Sequence, residues 1–218
     1  MEDRLTEGLY MELGNLDPDR YGESRAGELL RLRGVQRVSW WANCRPDRQD
    51  LRARVADGTL LGMAEVDDGF VAPEAAPGAL AHHFRRHRRP SQGILSGRPT
   101  TGLLVVWISP KSPALAQGLR DWGDFVHLRQ IAAASVPGFT QITPYDHAGD
   151  GDPRFLHLYE LDTDDPEAAF GTMRAHVAPR LGGEGTDAYG QWADLSGAGG
   201  YLLYANTFRL LGSRQDRS

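Results

Sequence analysis

Asp124 and His127 have the types and spacing that acid–base chemistry requires. They lie three residues apart, so their side chains share one face of a predicted helix. A carboxylate beside an imidazole raises the pKa of the imidazole into the range where histidine exchanges protons near neutral pH. The spacing predicts a proton-transfer pair; the alternative is an ordinary pair on a helix surface.

A second polar group, Tyr145-Asp146-His147, stands where a predicted strand meets a loop rich in Gly and Asp. Alternation along the strand places Tyr145 and His147 on one face and Asp146 on the other. Because strand ends that face a cavity often carry binding sites, we predict proton transfer by His127 or His147, assisted by Tyr145. A polar triplet beside a turn is the alternative.

Aromatic side chains form a third candidate group. Trp40, Trp41 and Trp107 fall in predicted strands and suit the wall of a cavity for a flat, apolar ligand, although they would also fill a core. On a later strand, His157 and Tyr159 share one face. His157 is interpreted either as a substrate contact or as a hydrogen-bonded core histidine.

Other motifs argue against metal and nucleotide chemistry. His83 and His87 have the spacing of metal ligands on a helix, but neighbouring arginines would repel a cation. The Gly/Asp loop 149–152 lacks the terminal Glu of a calcium loop. The sequence contains neither a Gly-rich phosphate loop after a strand nor a Gly-x-Ser-x-Gly motif, so nucleotide-binding and α/β-hydrolase enzymes are excluded.

The second half of the chain contains the elements that must position these residues. Hydrophobic periodicity predicts the order β-α-β-β-α-β, which is the ferredoxin-like unit. In chain order the elements are a strand over 103–108, a helix over 114–134, strands over 139–147 and 154–161, a helix over 166–177 and a strand over 201–208.

The first half repeats this order less regularly. In both halves an apolar strand ends in Glu, an aliphatic residue and Asp, which matches Glu65 to Glu160. An Arg- and Asp-rich insertion over 44–58 has no clear period. The predicted elements are strands over 8–14, 35–43, 59–66 and 92–96, and helices over 18–32 and 75–87. The fold class is therefore α+β, with two tandem ferredoxin-like repeats packed sheet to sheet as an α/β barrel with helices outside. The first, degenerate repeat spans residues 1–98 and the second spans residues 99–218.

Four short motifs follow one another in the second repeat. Trp122 and His127 lie on its first helix, Pro137-Gly138-Phe139 enters its second strand, Pro144-Tyr145 follows, and Tyr159-Glu160-Leu161 ends its third strand. In this order they resemble the EthD-like branch of the dimeric α/β-barrel superfamily over about residues 102–175. The resemblance adds Trp122 to the candidate substrate-binding residues. His127 matches Glu23 of the first repeat, so one half alone would carry the polar site.

The resemblance implies a small-molecule enzyme, because the superfamily includes cofactor-free monooxygenases, polyketide cyclases, lactone isomerases and haem enzymes. We expect acid–base chemistry without a tightly bound cofactor on an apolar, aromatic or polyketide-like substrate, as in an isomerase, cyclase, lyase or cofactor-free oxygenase. One alternative is a haem protein with His127, His147 or His157 as axial ligand. Another is a non-catalytic ligand-binding protein.

Composition sets the remaining expectations. The 218 residues include 24 Lys+Arg and 29 Asp+Glu, and the net charge of −5 argues against a general nucleic-acid binder. We expect no membrane partner, since no apolar run approaches the ~20 residues that span a bilayer and the N-terminus lacks a signal-peptide pattern. The single cysteine, Cys44, excludes an internal disulfide. These features predict a cytoplasmic protein, and the superfamily's paired barrels predict a homodimer.

Overall fold

Eight strands close into one antiparallel barrel in the computed structural model, which describes residues 6–51, 55 and 57–215. The predicted domain limits at residues 1 and 218, the N-terminal segment and part of the 44–58 insertion lie outside the described residues. The strands are β1 Gly8–Gly14, β2 Val35–Asn43, β3 Leu60–Val66, β4 Ala79–Arg86, β5 Gly102–Pro110, β6 Phe139–His147, β7 Phe155–Leu161 and β8 Gly200–Gln215.

The strand order confirms the predicted fold class. The first repeat forms the sheet β4-β1-β3-β2 and the second forms β8-β5-β7-β6, each in ferredoxin-like order. Pairing of β2 with β8 and of β4 with β6 joins the two sheets edge to edge. Every strand of the described barrel therefore has two neighbours, and no sheet edge is left to template a second chain. The homodimer stays a prediction.

The helices lie outside the barrel and begin where the sequence has capping residues. Asp17 and Asp165 each accept a hydrogen bond from a helical N–H three residues later, at 2.8 Å and 2.9 Å, and each precedes a proline. In the first repeat α1 Pro18–Arg20 continues through a π-helical turn, Tyr21–Arg25, into α2 Ala26–Leu30. The first helical segment of the second repeat consists of the 3₁₀ turn Pro113–Leu115, α3 Ala116–Trp122, the π-helical turn Gly123–His127 and α4 Leu128–Ala133. Its second helical segment follows β7 and consists of α5 Pro166–Val177, the 3₁₀ turn Ala178–Leu181 and α6 Asp187–Ala193.

The predicted helix over 75–87 is wrong. Its Ala, Leu and Arg residues favour a helix, but the segment forms β4, which pairs with β1 along its length and with β6 at its end. Pairing within the barrel overrides local propensity because β4 is the strand that closes it. The predicted strand over 92–96 is also wrong, since only an isolated bridge from Gln92 to Ile142 forms there.

The buried side chain of Glu12 anchors the irregular segment between β3 and β4, where the predicted second helix of the first repeat is absent. Its carboxylate is fully buried and accepts hydrogen bonds from Tyr10, Tyr21 and Arg25, the last at 2.6 Å. It also accepts the backbone N–H of Ala76 at 2.9 Å, which ties the irregular segment before β4 to the barrel wall. A buried charge is tolerated only with such partners.

The insertion closes one end of the barrel. Asp57 accepts hydrogen bonds of 2.7 Å from Asn43, Tyr204 and Asn206, and the Asn206 amide also donates to the backbone oxygen of Arg45. Apolar side chains from both repeats fill the middle of the barrel, including Trp107, Leu156 and Phe208. The opposite end, at the start of β2 and the end of β3, stays open.

Among the described residues, no helix is long and apolar enough to cross a membrane.

Candidate functional site

A cavity of about 530 Å³ occupies the open end of the barrel. This volume lies within the range of about 300–1,000 Å³ that is typical of small-molecule sites. Its walls combine apolar side chains with a few polar ones that converge from both repeats. The lining includes Leu9, Arg37, Ser39, Trp41, Met63, Glu65, Leu103, Gln141, Thr143, Tyr145, Leu158 and Glu160. The segment 95–100, which joins the repeats, covers one side of the cavity.

The cavity has internal twofold pseudosymmetry. Glu65 at the end of β3 lies opposite Arg37 of β2, and Glu160 at the end of β7 lies opposite Gln141 of β6. Each pairing follows a register shift at the start of the second strand of its repeat. The repeats therefore place one glutamate each on opposite walls of the cavity. Sequence analysis found these two residues as a repeat signal but did not assign them to the site.

Left-handed glycines set the start of both polar strands. Gly34 and Gly138 precede β2 and β6 with φ of 85° and 86°, a conformation that costs other residues free energy.

Tyr145 projects into the cavity from β6. Burial raises the pKa of its phenol, and the carboxylates of Glu160 and Glu65 raise it further. The phenol consequently stays protonated at every physiological pH and serves as a hydrogen-bond donor. Its hydroxyl has no hydrogen-bond partner among the described residues, whereas its backbone oxygen accepts a bond of 3.1 Å from the buried Arg120.

The two glutamates have different neighbours. The Glu65 carboxylate lies 3.4 Å from Nη1 of Arg37. The Glu160 carboxylate accepts a hydrogen bond of 3.2 Å from the Thr100 hydroxyl. Of the two carboxylates, that of Glu160 raises the pKa of the Tyr145 phenol more strongly, so Glu160 is the one placed to act together with Tyr145.

Two of the predicted residues, Tyr145 and Trp41, lie in the cavity wall. The indole N–H of Trp41 donates to Ser39 at 2.9 Å, which fixes the ring in the wall. Trp40 points the other way, because successive strand residues alternate; its ring packs outside the barrel against Gly22 and Gly212. Trp40 therefore does not line the cavity.

The predicted Asp124–His127 pair does not form. His127 Nδ1 donates to the backbone oxygen of Trp192 at 3.0 Å, and its ring stacks between Trp122 and Trp192. Burial lowers the pKa of His127 to about 4. Asp124 instead accepts a hydrogen bond of 2.8 Å from Arg89. Both side chains lie in the helix layer outside the barrel, away from the cavity.

His147 and Trp107 face the barrel interior beyond the cavity. The ring of His82 lies 5.5 Å from that of His147 and 5.0 Å from that of Trp107. Burial and His147 lower the pKa of His82 to about 4. Neither His147 nor Trp107 lines the cavity, so the structure does not join them to Tyr145 as one site.

The remaining predicted residues lie beneath the helices. His157 and Tyr159 share one face of β7 as expected, but that face points outward, and Leu158 and Glu160 of the same strand point into the cavity. His157 is buried, and burial holds its pKa well below the usual value. The indole N–H of Trp122 donates to the backbone oxygen of Gln191 at 2.8 Å.

We expect His127→Ala to leave any reaction in the cavity within about twofold of the wild-type rate. The His127 ring lies in the helix layer and makes no described contact with a residue of the cavity wall. The substitution removes stacking between two indoles, so it lowers stability by about 1–3 kcal/mol. Paired turnover and thermal unfolding measurements check this. A variant that stays folded but loses turnover would restore the proton-transfer assignment of His127.

The described residues do not fit a haem held in the cavity by a predicted histidine. His127 and His157 are enclosed in the helix layer, and no histidine of the described chain lines the cavity. The described chain also contains no group of three or more His, Cys, Asp or Glu residues that could hold a metal ion. The absence of a cofactor stays a prediction.

Solved structures similar to this chain share its fold across nearly the whole length. An anthrone oxidase-like protein is 12% identical, with a TM-score of 0.54 over 97% of this chain and 93% of that chain. A monooxygenase candidate from Fusobacterium nucleatum is 6% identical, with a TM-score of 0.54 over 96% of this chain and 94% of that chain. A major regulator of staphylococcal pathogenesis is 10% identical, with a TM-score of 0.53 over 93% of this chain and 98% of that chain.

The chain therefore shares a ferredoxin-like α/β-barrel fold with these structures. In this chain both halves of that barrel belong to one polypeptide. No protein-family model matches the sequence, and no curated protein is significantly similar to it. Identities this low establish the fold alone, and the EthD-like resemblance is not confirmed.

Proposed function

We propose that the protein is a small-molecule enzyme that moves protons on a flat, largely apolar ketone without a tightly bound cofactor. One observation carries the proposal: the carboxylate of Glu160 and the protonated phenol of Tyr145 meet in one cavity of suitable size. A carboxylate base beside a neutral hydrogen-bond donor is the pair that enolisation of a ketone needs. Isomerases, cyclases and lyases of this kind share that step.

Glu160 is the proton acceptor in the proposed step. Its carboxylate takes a proton from the carbon next to the substrate carbonyl, and the electron pair of that C–H bond forms the enolate double bond. The charge that develops on the carbonyl oxygen accepts a hydrogen bond from the Tyr145 hydroxyl. Return of the proton to the same carbon gives isotope exchange, and its delivery to another carbon of a conjugated enolate completes an isomerisation, so neither outcome needs an oxidant.

The walls of the cavity support an apolar, planar substrate. Trp41 offers the face of an indole, and Leu9, Leu103 and Leu158 complete the apolar lining. Aromatic rings bury large areas on such a surface and stack with an offset. The polar groups then orient the ring system within the cavity.

Deuterium exchange into 2-tetralone tests the proposal. This bicyclic ketone carries a benzylic CH₂ next to its carbonyl, and proton NMR in D₂O follows the loss of that signal. We expect the wild-type protein to accelerate exchange above a buffer blank and excess 2-naphthol, a non-exchanging competitor, to suppress it. No acceleration would contradict the proposal and favour a non-catalytic ligand-binding protein.

Tyr145→Phe should lower the exchange rate about 100-fold, the order expected for loss of one oxyanion donor. Its fold should change little, because the hydroxyl has no protein partner in the described chain. Since burial and the two carboxylates raise the pKa of this phenol, the wild-type rate should not fall through phenol ionisation up to about pH 10. Rates and circular dichroism of both proteins across pH check this. An unchanged rate in the variant would remove Tyr145 from the mechanism.

A further inference from the structure

The two walls of the cavity carry different side chains at matching positions. Arg37 and Trp41 in β2 correspond to Gln141 and Tyr145 in β6, by their pairing with β3 and β7. Gln141 donates to Thr143 at 3.3 Å within its own strand. Compared with the second-repeat wall, the first-repeat wall therefore has a charged side chain, Arg37, at its rim and the indole of Trp41 deeper in the cavity.

Arg37 has donors that the protein uses little. Its guanidinium carries five N–H donors, and in the described chain its one hydrogen bond is the long contact of 3.4 Å with Glu65. Its Nε is buried without a partner among the described residues. The side chain keeps 27% of its surface exposed, so terminal N–H groups remain accessible from the cavity. Folding alone does not account for an arginine in this position.

We infer that Arg37 and Glu65 form a subsite that selects a neutral hydroxyl group of the substrate. The pair presents a cationic donor and an anionic acceptor side by side. A phenolic hydroxyl matches both, because it accepts from Arg37 through oxygen and donates to Glu65 through its proton. A methyl ether can only accept. A carboxylate can only accept too, and it is repelled by Glu65 and Glu160.

The subsite also determines the orientation of the bound substrate in the cavity. The β2–β3 wall lies across the barrel from the β6–β7 wall. A planar molecule that binds Arg37 and Glu65 through its hydroxyl lies along Trp41 and points its other end at Tyr145 and Glu160. This inference rests on the proposed function for the reacting end of the molecule, while hydroxyl recognition is a property of binding alone.

Isothermal titration with three matched probes tests the subsite. 2-Naphthol offers donor and acceptor, 2-methoxynaphthalene only an acceptor, and 2-naphthoate a negative charge; none of them exchanges a carbon-bound proton in the proposed reaction. We expect 2-naphthol to bind about tenfold more tightly than either of the others, as one charge-assisted hydrogen bond would produce. Equal binding of the three, tightest binding of 2-naphthoate, or no binding would overturn the inference.

The variant Arg37→Gln tests the role of the arginine. Glutamine is the replacement because Gln141 occupies the matching position of the second repeat. Both neutral probes accept from Arg37, so we expect this variant to bind 2-naphthol and 2-methoxynaphthalene about tenfold more weakly and to keep the preference for 2-naphthol, which the donation to Glu65 provides. Arg129→Gln makes the same change on the exposed surface of α4 and should bind as wild type. Unchanged affinity for both neutral probes in Arg37→Gln would overturn the assignment to Arg37. Since binding needs no turnover, a wild-type protein without the preference for 2-naphthol but with normal 2-tetralone exchange rejects the subsite alone, and a wild-type protein with the preference but without exchange rejects the proposed function alone.

Discussion

Glu160→Gln should lower the rate of 2-tetralone exchange about 1,000-fold, within the range of 10²–10⁴ that a positioned general base contributes. The amide keeps the size of the carboxylate and can still accept the Thr100 hydroxyl, whose hydrogen bond to Glu160 is 3.2 Å long. It has no basic oxygen with which to take a proton from carbon. The loss should therefore appear in the exchange rate, while binding of 2-naphthol changes less than threefold, because that probe is held at the opposite wall.

Two further variants serve as controls for the effect of Glu160→Gln. Glu184→Gln makes the same change at an exposed glutamate far from the barrel strands and should exchange at the wild-type rate. Glu65→Gln should weaken 2-naphthol binding more than it slows the exchange step at saturating ketone. If Glu65→Gln abolishes exchange and Glu160→Gln does not, the roles of the two walls are reversed.

Glu12→Ala should destabilise the protein by about 3–5 kcal/mol, the cost of breaking a buried charged pair. The substitution leaves the Arg25 guanidinium and two tyrosine hydroxyls without the carboxylate that they share. It also releases the backbone N–H of Ala76 and with it the segment that replaces a helix in the first repeat. Urea unfolding at neutral pH, followed by tryptophan fluorescence, measures the change.

Glu28→Ala is the matched control for that measurement. Glu28 also pairs with Arg25, at 3.3 Å, but its side chain is half exposed. Surface ion pairs of this kind contribute little to stability. A destabilisation by Glu12→Ala no larger than that by Glu28→Ala would show that the buried carboxylate does not anchor the segment before β4.

The fold could be predicted because the two halves of the sequence share recognisable residue patterns. The glycines before β2 and β6 and the Glu-aliphatic-Asp strand ends recur in both halves, and each repeat alone leaves sheet surface that the other covers. The segment that became β4 could not be assigned in the same way. Ala79–Arg86 has the local preferences of a helix, and its strand partners lie in distant β1 and β6. Only closure of the barrel favours an extended conformation there.

The candidate site was harder to predict than the fold. Both faces of β7 are buried, since one meets the cavity and the other meets the helices, so alternation does not reveal which face is inside. Residue type marks the histidine-bearing face as a candidate for substrate contact, but that face is the outer one. Tyr145 and Trp41 were found by residue type. The repeat in the sequence relates Glu65 to Glu160. Their convergence on one cavity depends on closure of the barrel, which the sequence pattern does not reveal.

A crystal structure of the protein with 2-naphthol bound tests whether the barrel-mouth cavity is the binding site. We predict one naphthol molecule in the barrel-mouth cavity, with its rings against Trp41, its hydroxyl oxygen within hydrogen-bond distance of Arg37 and Glu65, and its far edge toward Tyr145 and Glu160. A molecule bound instead beside His82, His147 and Trp107, or in the helix layer near His127, would contradict the account.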